Sequence, residues 1–170
     1  MTADTQTNKI LHIVRHGKAL QDYRSIADID RPLVEKGILN NITAANRLKN
    51  KYSAPDVIIS SPAARALHTA HIFARVWGYP SEKVSVNDAL YMLGEDAALD
   101  ILYELPDNIS SVMIVAHNPD MTFLAEIFTK TNSLPTSGIV SVRFDTAHWW
   151  AICGAVVSAE TIFPESGMAR

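Results

Sequence analysis

Short apolar runs recurring between longer amphipathic stretches constrain this chain more than any other feature. Ile10 to Val14, Val57 to Ile59 and Val112 to Ala116 lack the apolar–polar alternation of a half-exposed strand, so they read as strands covered on both faces, as in a parallel sheet. Val34 to Lys51, Pro62 to Trp77, Asp96 to Glu104 and Pro119 to Thr129 read as helices, with Pro62 and Pro119 suited to the first helical position. Lys83 to Val86 is a candidate short strand. Near the C-terminus, Ile139 to Phe144 and Trp149 to Val157 flank a turn at Asp145 to His148 and predict an antiparallel hairpin. The expected fold is α/β: a three-layer α/β/α sandwich with a mostly parallel sheet and an antiparallel edge hairpin near the C-terminus.

The chain has 170 residues, 48% of them apolar, enough for one core without disulfides or metal. Residues 1–8 are polar and aperiodic and are expected to form a disordered tail, residues 9–163 a single domain and residues 164–170 a frayed end. The net charge is −3 and the basic residues are scattered, which gives no reason to expect nucleic acid or a membrane as partner. The single cysteine, Cys153, cannot close an internal disulfide, and no apolar leader opens the chain, so a reducing cytoplasm is expected.

Ligands of open parallel sheets bind beyond the carboxyl ends of the strands. Three such exits here are chemically loaded: Arg15-His16-Gly17, then Ser60-Ser61-Pro62 with Arg65 one helical turn on, then His117-Asn118-Pro119. Guanidinium forks match phosphate oxygens in pairs, helix amino ends offer unpaired N–H groups, and a neutral imidazole is a nucleophile. His16 would attack phosphorus while Arg15, Arg65 and a protonated His117 stabilise the equatorial oxygens. Gly17 would let the backbone turn sharply. Taken singly, each feature has a plainer reading: a surface Arg-His pair, a solvated Arg65, or a helix start capped by Asn118. Their joint placement at strand exits carries the inference.

Leu-His-Ile-Val-Arg-His-Gly-Lys-Ala at 11–19 resembles the Arg-His-Gly signature of the histidine phosphatase (phosphoglycerate mutase-like) superfamily. Asp30-Arg31-Pro32-Leu33 with Gly37, Ser60-Ser61-Pro62 with Arg65, Ala66, Thr69 and Ala70, and Val115-Ala116-His117-Asn118-Pro119 are similar to its short SixA-type phosphohistidine phosphatase branch. The resemblance implies that His16 becomes phosphorylated, that Arg15 and Arg65 bind the phosphoryl oxygens, and that His117 completes the pocket. It implies no metal and no cofactor. Arg31 matches an arginine of the short branch and is a rim candidate for substrate binding, or else a structural partner of Asp28 or Asp30.

The chain departs from the family at the general acid. Larger members place a glutamate shortly after the third strand, where this chain has Ala89-Leu90-Tyr91-Met92. Asp30, Asp88, Glu95 and Asp96 are nearby candidates, and none is assigned. Imidazole leaves from a P–N bond with less help than an alkoxide leaves from phosphorus, which favours phosphohistidine. About fifty residues separate Arg65 from His117, too few for an inserted lid, so the expected partner is a phosphorylated protein. Small phosphate esters and a non-catalytic phospho-binding role remain the alternatives.

Other readings fall away. Asp28-Ile29-Asp30 has the spacing of a haloacid dehalogenase nucleophile motif but lacks the apolar strand before it. Six places after Cys153 stands Ala159 rather than the arginine of a cysteine phosphatase, and Cys153 reads as a small strand residue. There is no Gly-x-Ser-x-Gly elbow and no Gly-rich Lys-Ser/Thr loop. His68 and His71 share a helix face without a third metal ligand. Trp149 and Trp150 are expected on opposite sheet faces, one in the core and one outside.

Overall fold

A computed structural model describes residues 8–22, 24–91 and 94–164 of the chain. The strands are β1 (Asn8–Arg15), β2 (Val57–Ser60), β3 (Ser85–Val86), β4 (Ser111–Ala116), β5 (Ile139–Asp145) and β6 (Val156–Ile162). The helices are α1 (Glu35–Lys49), α2 (Ala64–Trp77), α3 (Glu95–Tyr103) and α4 (Asp120–Phe128). The strands form one sheet in the order β3-β2-β4-β1-β5-β6. β1, β2, β3 and β4 run parallel, β5 pairs antiparallel with β1, and β6 pairs antiparallel with β5 at the edge.

The apolar runs are strands because both faces are covered. Val14, Ile58, Met113 and Val115 pack on one side against Ala44, Ala45 and Leu48 of α1 and Ala66, Ala70 and Phe73 of α2. Leu11, Ile13, Val112 and Ile114 pack on the other against Leu102 of α3 and Met121, Leu124 and Phe128 of α4. Small residues on α1 and α2 let these helices sit close to the sheet, and α2 ends at Gly78, whose φ of +70° suits the left-handed stop.

Several expectations need correction. β1 begins at Asn8, which was expected in the tail, while residues 1–7 and 165–170 lie outside the described residues. The strand expected over Lys83 to Val86 is confined to Ser85–Val86, because Ser81–Lys83 forms a turn of 3-10 helix. α2 starts after Pro62, with Ala63 as its cap, and Pro119 is itself the cap of α4. The largest difference is in the hairpin. Trp149–Gly154 is a 3-10 helix, and the second strand starts only at Val156. In 3-10 geometry residues three apart share a face, so Trp149 and Ile152 both enter the core while Trp150 is 65% exposed. Cys153 is therefore an exposed residue of that helix rather than a strand residue, and its Sγ lies 2.9 Å from the Tyr103 hydroxyl.

Candidate functional site

The three loaded turns are neighbours because β2, β4 and β1 are adjacent and parallel, so all three exit on the same edge of the sheet. Arg15, His16, Arg31, Arg65 and His117 line one hollow of about 220 Å³, together with Lys18, Gln21, Asn118 and Thr136. All five residues singled out in the sequence thus meet there.

His16 follows β1, and its Nδ1 lies 2.7 Å from the Gly17 carbonyl oxygen. A carbonyl only accepts, so Nδ1 carries the proton and Nε2 keeps its lone pair. That Nε2 faces Arg65 Nε at 3.4 Å, a long contact that a phosphoryl oxygen can replace. Burial, reinforced by the charges of Arg65, Arg15 and Arg31 and only partly opposed by the Gly17 hydrogen bond, lowers the His16 pKa to about 4. The imidazole is neutral at neutral pH.

His117 behaves similarly. Its pKa falls to about 3, first through burial and then through the nearby His16 and Arg65. Ser61 Oγ accepts from the Ala63 N–H at 3.3 Å and lies 2.7 Å from His117 Nε2, a contact in which either atom can donate because the hydroxyl has a second lone pair. Nδ1 of His117 is buried without a hydrogen-bond partner among the described residues, and where Ser61 donates to Nε2 it carries the ring hydrogen. In that tautomer neutral His117 is a directed N–H donor, its ring centroid 5.1 Å from that of His16.

Arg65 is fixed from the side away from His16. Nη1 donates to the Asp28 carbonyl at 2.6 Å and Nη2 to Asp28 Oδ2 at 3.1 Å, leaving Nε and the remaining N–H groups for an anion. Arg31 donates to Asp28 Oδ1 through Nε at 2.9 Å and Nη2 at 2.8 Å, and to the Leu20 carbonyl through Nη1 at 2.7 Å. Of the two readings offered for Arg31, the partner of Asp28 is observed, and the residue lines the hollow as well. Tyr91 completes the cluster by donating its hydroxyl to Asp28 Oδ2 at 2.7 Å. Burial works against the Asp28 charge, but hydrogen bonds from Tyr91, Arg31 and Arg65 outweigh it and hold the carboxyl well below the usual carboxylate range.

Arg15 is anchored by the Leu134 carbonyl at 2.9 Å, and the same oxygen accepts from Asn118 Nδ2 at 3.0 Å. Asn118 does not occupy the cap position of α4; its Oδ1 instead accepts from the backbone and hydroxyl of Thr122. Ser137 has a φ of +62° and donates its N–H to the carbonyls of Arg15 and His16, clamping the turn after β1. Gly17 serves packing rather than a special backbone angle. A Cβ there would meet Asn41 Nδ2 at 2.5 Å and the Gly37 carbonyl at 2.9 Å, so glycine lets α1 press against the catalytic turn.

A second hollow of about 450 Å³ adjoins the first and shares Arg65, His117 and Asn118 with it. Its further lining includes Asp28, Tyr91, Gly94, Pro119 and Asp120. Asp30 and Asp88, two of the candidate acids, are exposed and line neither hollow. The Glu95 side chain lies outside the described residues. Asp28 and Tyr91 were not singled out as site residues. The Asp28 to Arg31 spacing of three, noted as a structural pairing, was the available signal for the former. Among the described residues no group of three or more His, Cys, Asp or Glu side chains is arranged to hold a metal ion, His68 and His71 included.

The family model for the histidine phosphatase superfamily (branch 1) matches residues 11–90, which include the exits of β1 and β2. A Mycobacterium tuberculosis (strain H37Rv) protein described as uncharacterized is 28% identical over 160 residues, covering 85% of this chain and 96% of that protein. A structure from Agrobacterium tumefaciens, described as a candidate phosphohistidine phosphatase SixA, is 28% identical with a TM-score of 0.67, covering 79% of this chain and 91% of that one. The protein histidine phosphatase SixA in complex with tungstate shares the fold at a TM-score of 0.71 and 22% identity, covering 91% of this chain and 97% of that one. Sequence match over residues 11–90 and shared sheet agree with the residues gathered at the strand exits: the chain resembles the histidine phosphatase superfamily.

Proposed function

We propose that this protein is a metal-independent phosphatase that works through a phosphohistidine intermediate on His16 and acts on phosphohistidine in proteins. The observation that carries the reading is the state of His16: Nδ1–H is tied to the Gly17 carbonyl and an unprotonated Nε2 faces a hollow walled by Arg15, Arg31, Arg65 and His117.

In the first half-reaction, His16 Nε2 attacks phosphorus in line, the P–Nε2 bond forms, and the bond to the leaving group breaks with its electron pair going to that group. Arg15, Arg65 and the His117 Nδ1–H stabilise the three equatorial oxygens, and the Gly17 carbonyl takes up the positive charge growing on the imidazole. In the second, water attacks phosphorus, His16 departs as neutral imidazole, and phosphate is released. The guanidinium groups supply the charge that a metal ion supplies in other phosphatases. Phosphohistidine suits the site because its imidazole leaves without an alkoxide being formed, and because Asp28, held ionised, has no proton to give. The exposed single thiol of Cys153 fits a cytoplasmic setting.

The test is phosphate release in the presence of a chelator from a phosphohistidine protein, a sugar phosphate and an aryl phosphate, with wild type and His16→Ala. The proposal predicts chelator-resistant turnover that prefers the phosphohistidine protein and is lost in His16→Ala. Vanadate binding with no turnover would instead support a phospho-binding domain, and a preference for the sugar phosphate would move the substrate to small esters.

A further inference from the structure

We infer that the Tyr91 hydroxyl oxygen is a specificity-determining acceptor, which makes the larger hollow a subsite for leaving groups that bring their own N–H. The inference rests on the phosphatase reading above. The two hollows share Arg65, His117 and Asn118, so a phosphoryl group held in the smaller extends its substituent into the larger. Tyr91 stands on the wall there, its ring edge-on to His117 with centroids 5.7 Å apart.

What this wall offers follows from counting hydrogens. A carboxylate has about four lone-pair sites. On Asp28 they are taken by Arg31 Nε and Nη2 at Oδ1, and by Arg65 Nη2 and the Tyr91 hydroxyl at Oδ2. Asp28 therefore has neither a proton to give nor a lone pair to spare. The single hydroxyl hydrogen of Tyr91 is committed to Asp28 at 2.7 Å, which leaves the Tyr91 oxygen lone pairs as its remaining hydrogen-bonding capacity. An ammonium or guanidinium nitrogen bonded to phosphorus, or the distal ring N–H of a phosphorylated imidazolium, finds an acceptor here. The oxygen of an alkyl ester, gaining negative charge as its bond to phosphorus breaks, finds only lone pairs at Tyr91.

The chemistry balances without a proton donor from the protein. With phosphoramidate as its zwitterion, His16 Nε2 forms the new bond to phosphorus, the P–N bond breaks with its electron pair on nitrogen, and neutral ammonia leaves with the hydrogens it already carried. The selected class extends beyond imidazole to amine and guanidine phosphoramidates.

The experiment measures kcat/KM for phosphoramidate and for p-nitrophenyl phosphate, whose phenolate leaves without a proton, in wild type and Tyr91→Phe. Turnover of the aryl ester in the same sample reports that the variant is folded. The expected result is that the phosphoramidate to aryl ester ratio falls about tenfold in Tyr91→Phe, the scale of one hydrogen bond to a partly charged donor. A ratio that stays constant while both rates fall would make Tyr91 a mere support for Asp28 and Arg65 and overturn the inference. A larger fall for the aryl ester would make it a proton donor and overturn it too. If wild type hydrolyses neither compound, or does so without labelling His16, the phosphatase reading fails along with it; an unmoved ratio with His16 labelled sinks only the role of Tyr91.

Discussion

Acid should destabilise this protein steeply, because it folds around three histidines that must stay neutral. His12, inside β1, is 1% exposed, with Nδ1 2.8 Å from Ser141 Oγ. Burial, helped by the Arg143 charge, lowers its pKa to about 3, while His16 and His117 stand at about 4 and about 3. In the unfolded chain each would titrate near 6.5. A histidine whose folded pKa is depressed contributes stability that is whole above the unfolded pKa and is lost as pH falls toward the folded value. At about pH 5 the unfolded state therefore binds about three more protons than the native state, a slope of about 4 kcal/mol per pH unit. Integrated from pH 7 to pH 5, the three remove about 6 kcal/mol, comparable with the whole stability of a small domain. Urea denaturation at a series of pH values measures the slope directly. His12→Gln should reduce it by about one proton while leaving the phosphoryl hollow intact. A slope near pH 5 of one proton or less would refute the claim that these groups are held neutral.

The site makes two further predictions. Asp28→Asn replaces an acceptor facing Arg65 and Tyr91 or Arg31 with a donor; Asp28 is 42% exposed at its side chain, so each arginine contact is worth about 1 kcal/mol after solvent screening. The expected loss in kcat/KM is about thirtyfold for every substrate, and a variant within twofold of wild type in steady-state kinetics would show that Arg65 does not need this anchor. Ser61→Ala removes the hydrogen bond that orients the His117 ring, and should lower kcat about tenfold or more with little change in thermal stability, as measured by calorimetry alongside turnover.

The legible parts of the fold were those whose residues answer to one strong constraint. β1, β2 and β4 are buried on both faces, so their apolar runs were visible, and the exit rule for parallel strands then put Arg15, His16, Arg65 and His117 in one place. Trp149 to Gly154 misled because Trp-Trp-Ala-Ile-Cys-Gly satisfies strand propensity, while the spacing of three between Trp149 and Ile152 is the mark of the 3-10 turn that forms. β6 gave little signal because an edge strand exposed along most of its length has no alternation to read. At the site, the surroundings of His117, buried beside His16 and hydrogen-bonded with Ser61, could not be read from its residue type. The hub at Asp28 could not be read as such, because Arg65 and Tyr91 reach it from distant positions in the chain and only Arg31 is near in sequence.

The central claim, a phosphoryl group carried on His16, is tested most directly by rapid quench into alkali during turnover, followed by peptide mass spectrometry. The account predicts one phosphoryl group on the peptide containing His16, stable in base and lost in acid, and no labelled peptide from His16→Ala. A phosphoryl group on any other side chain, or turnover that persists in His16→Ala, would contradict it.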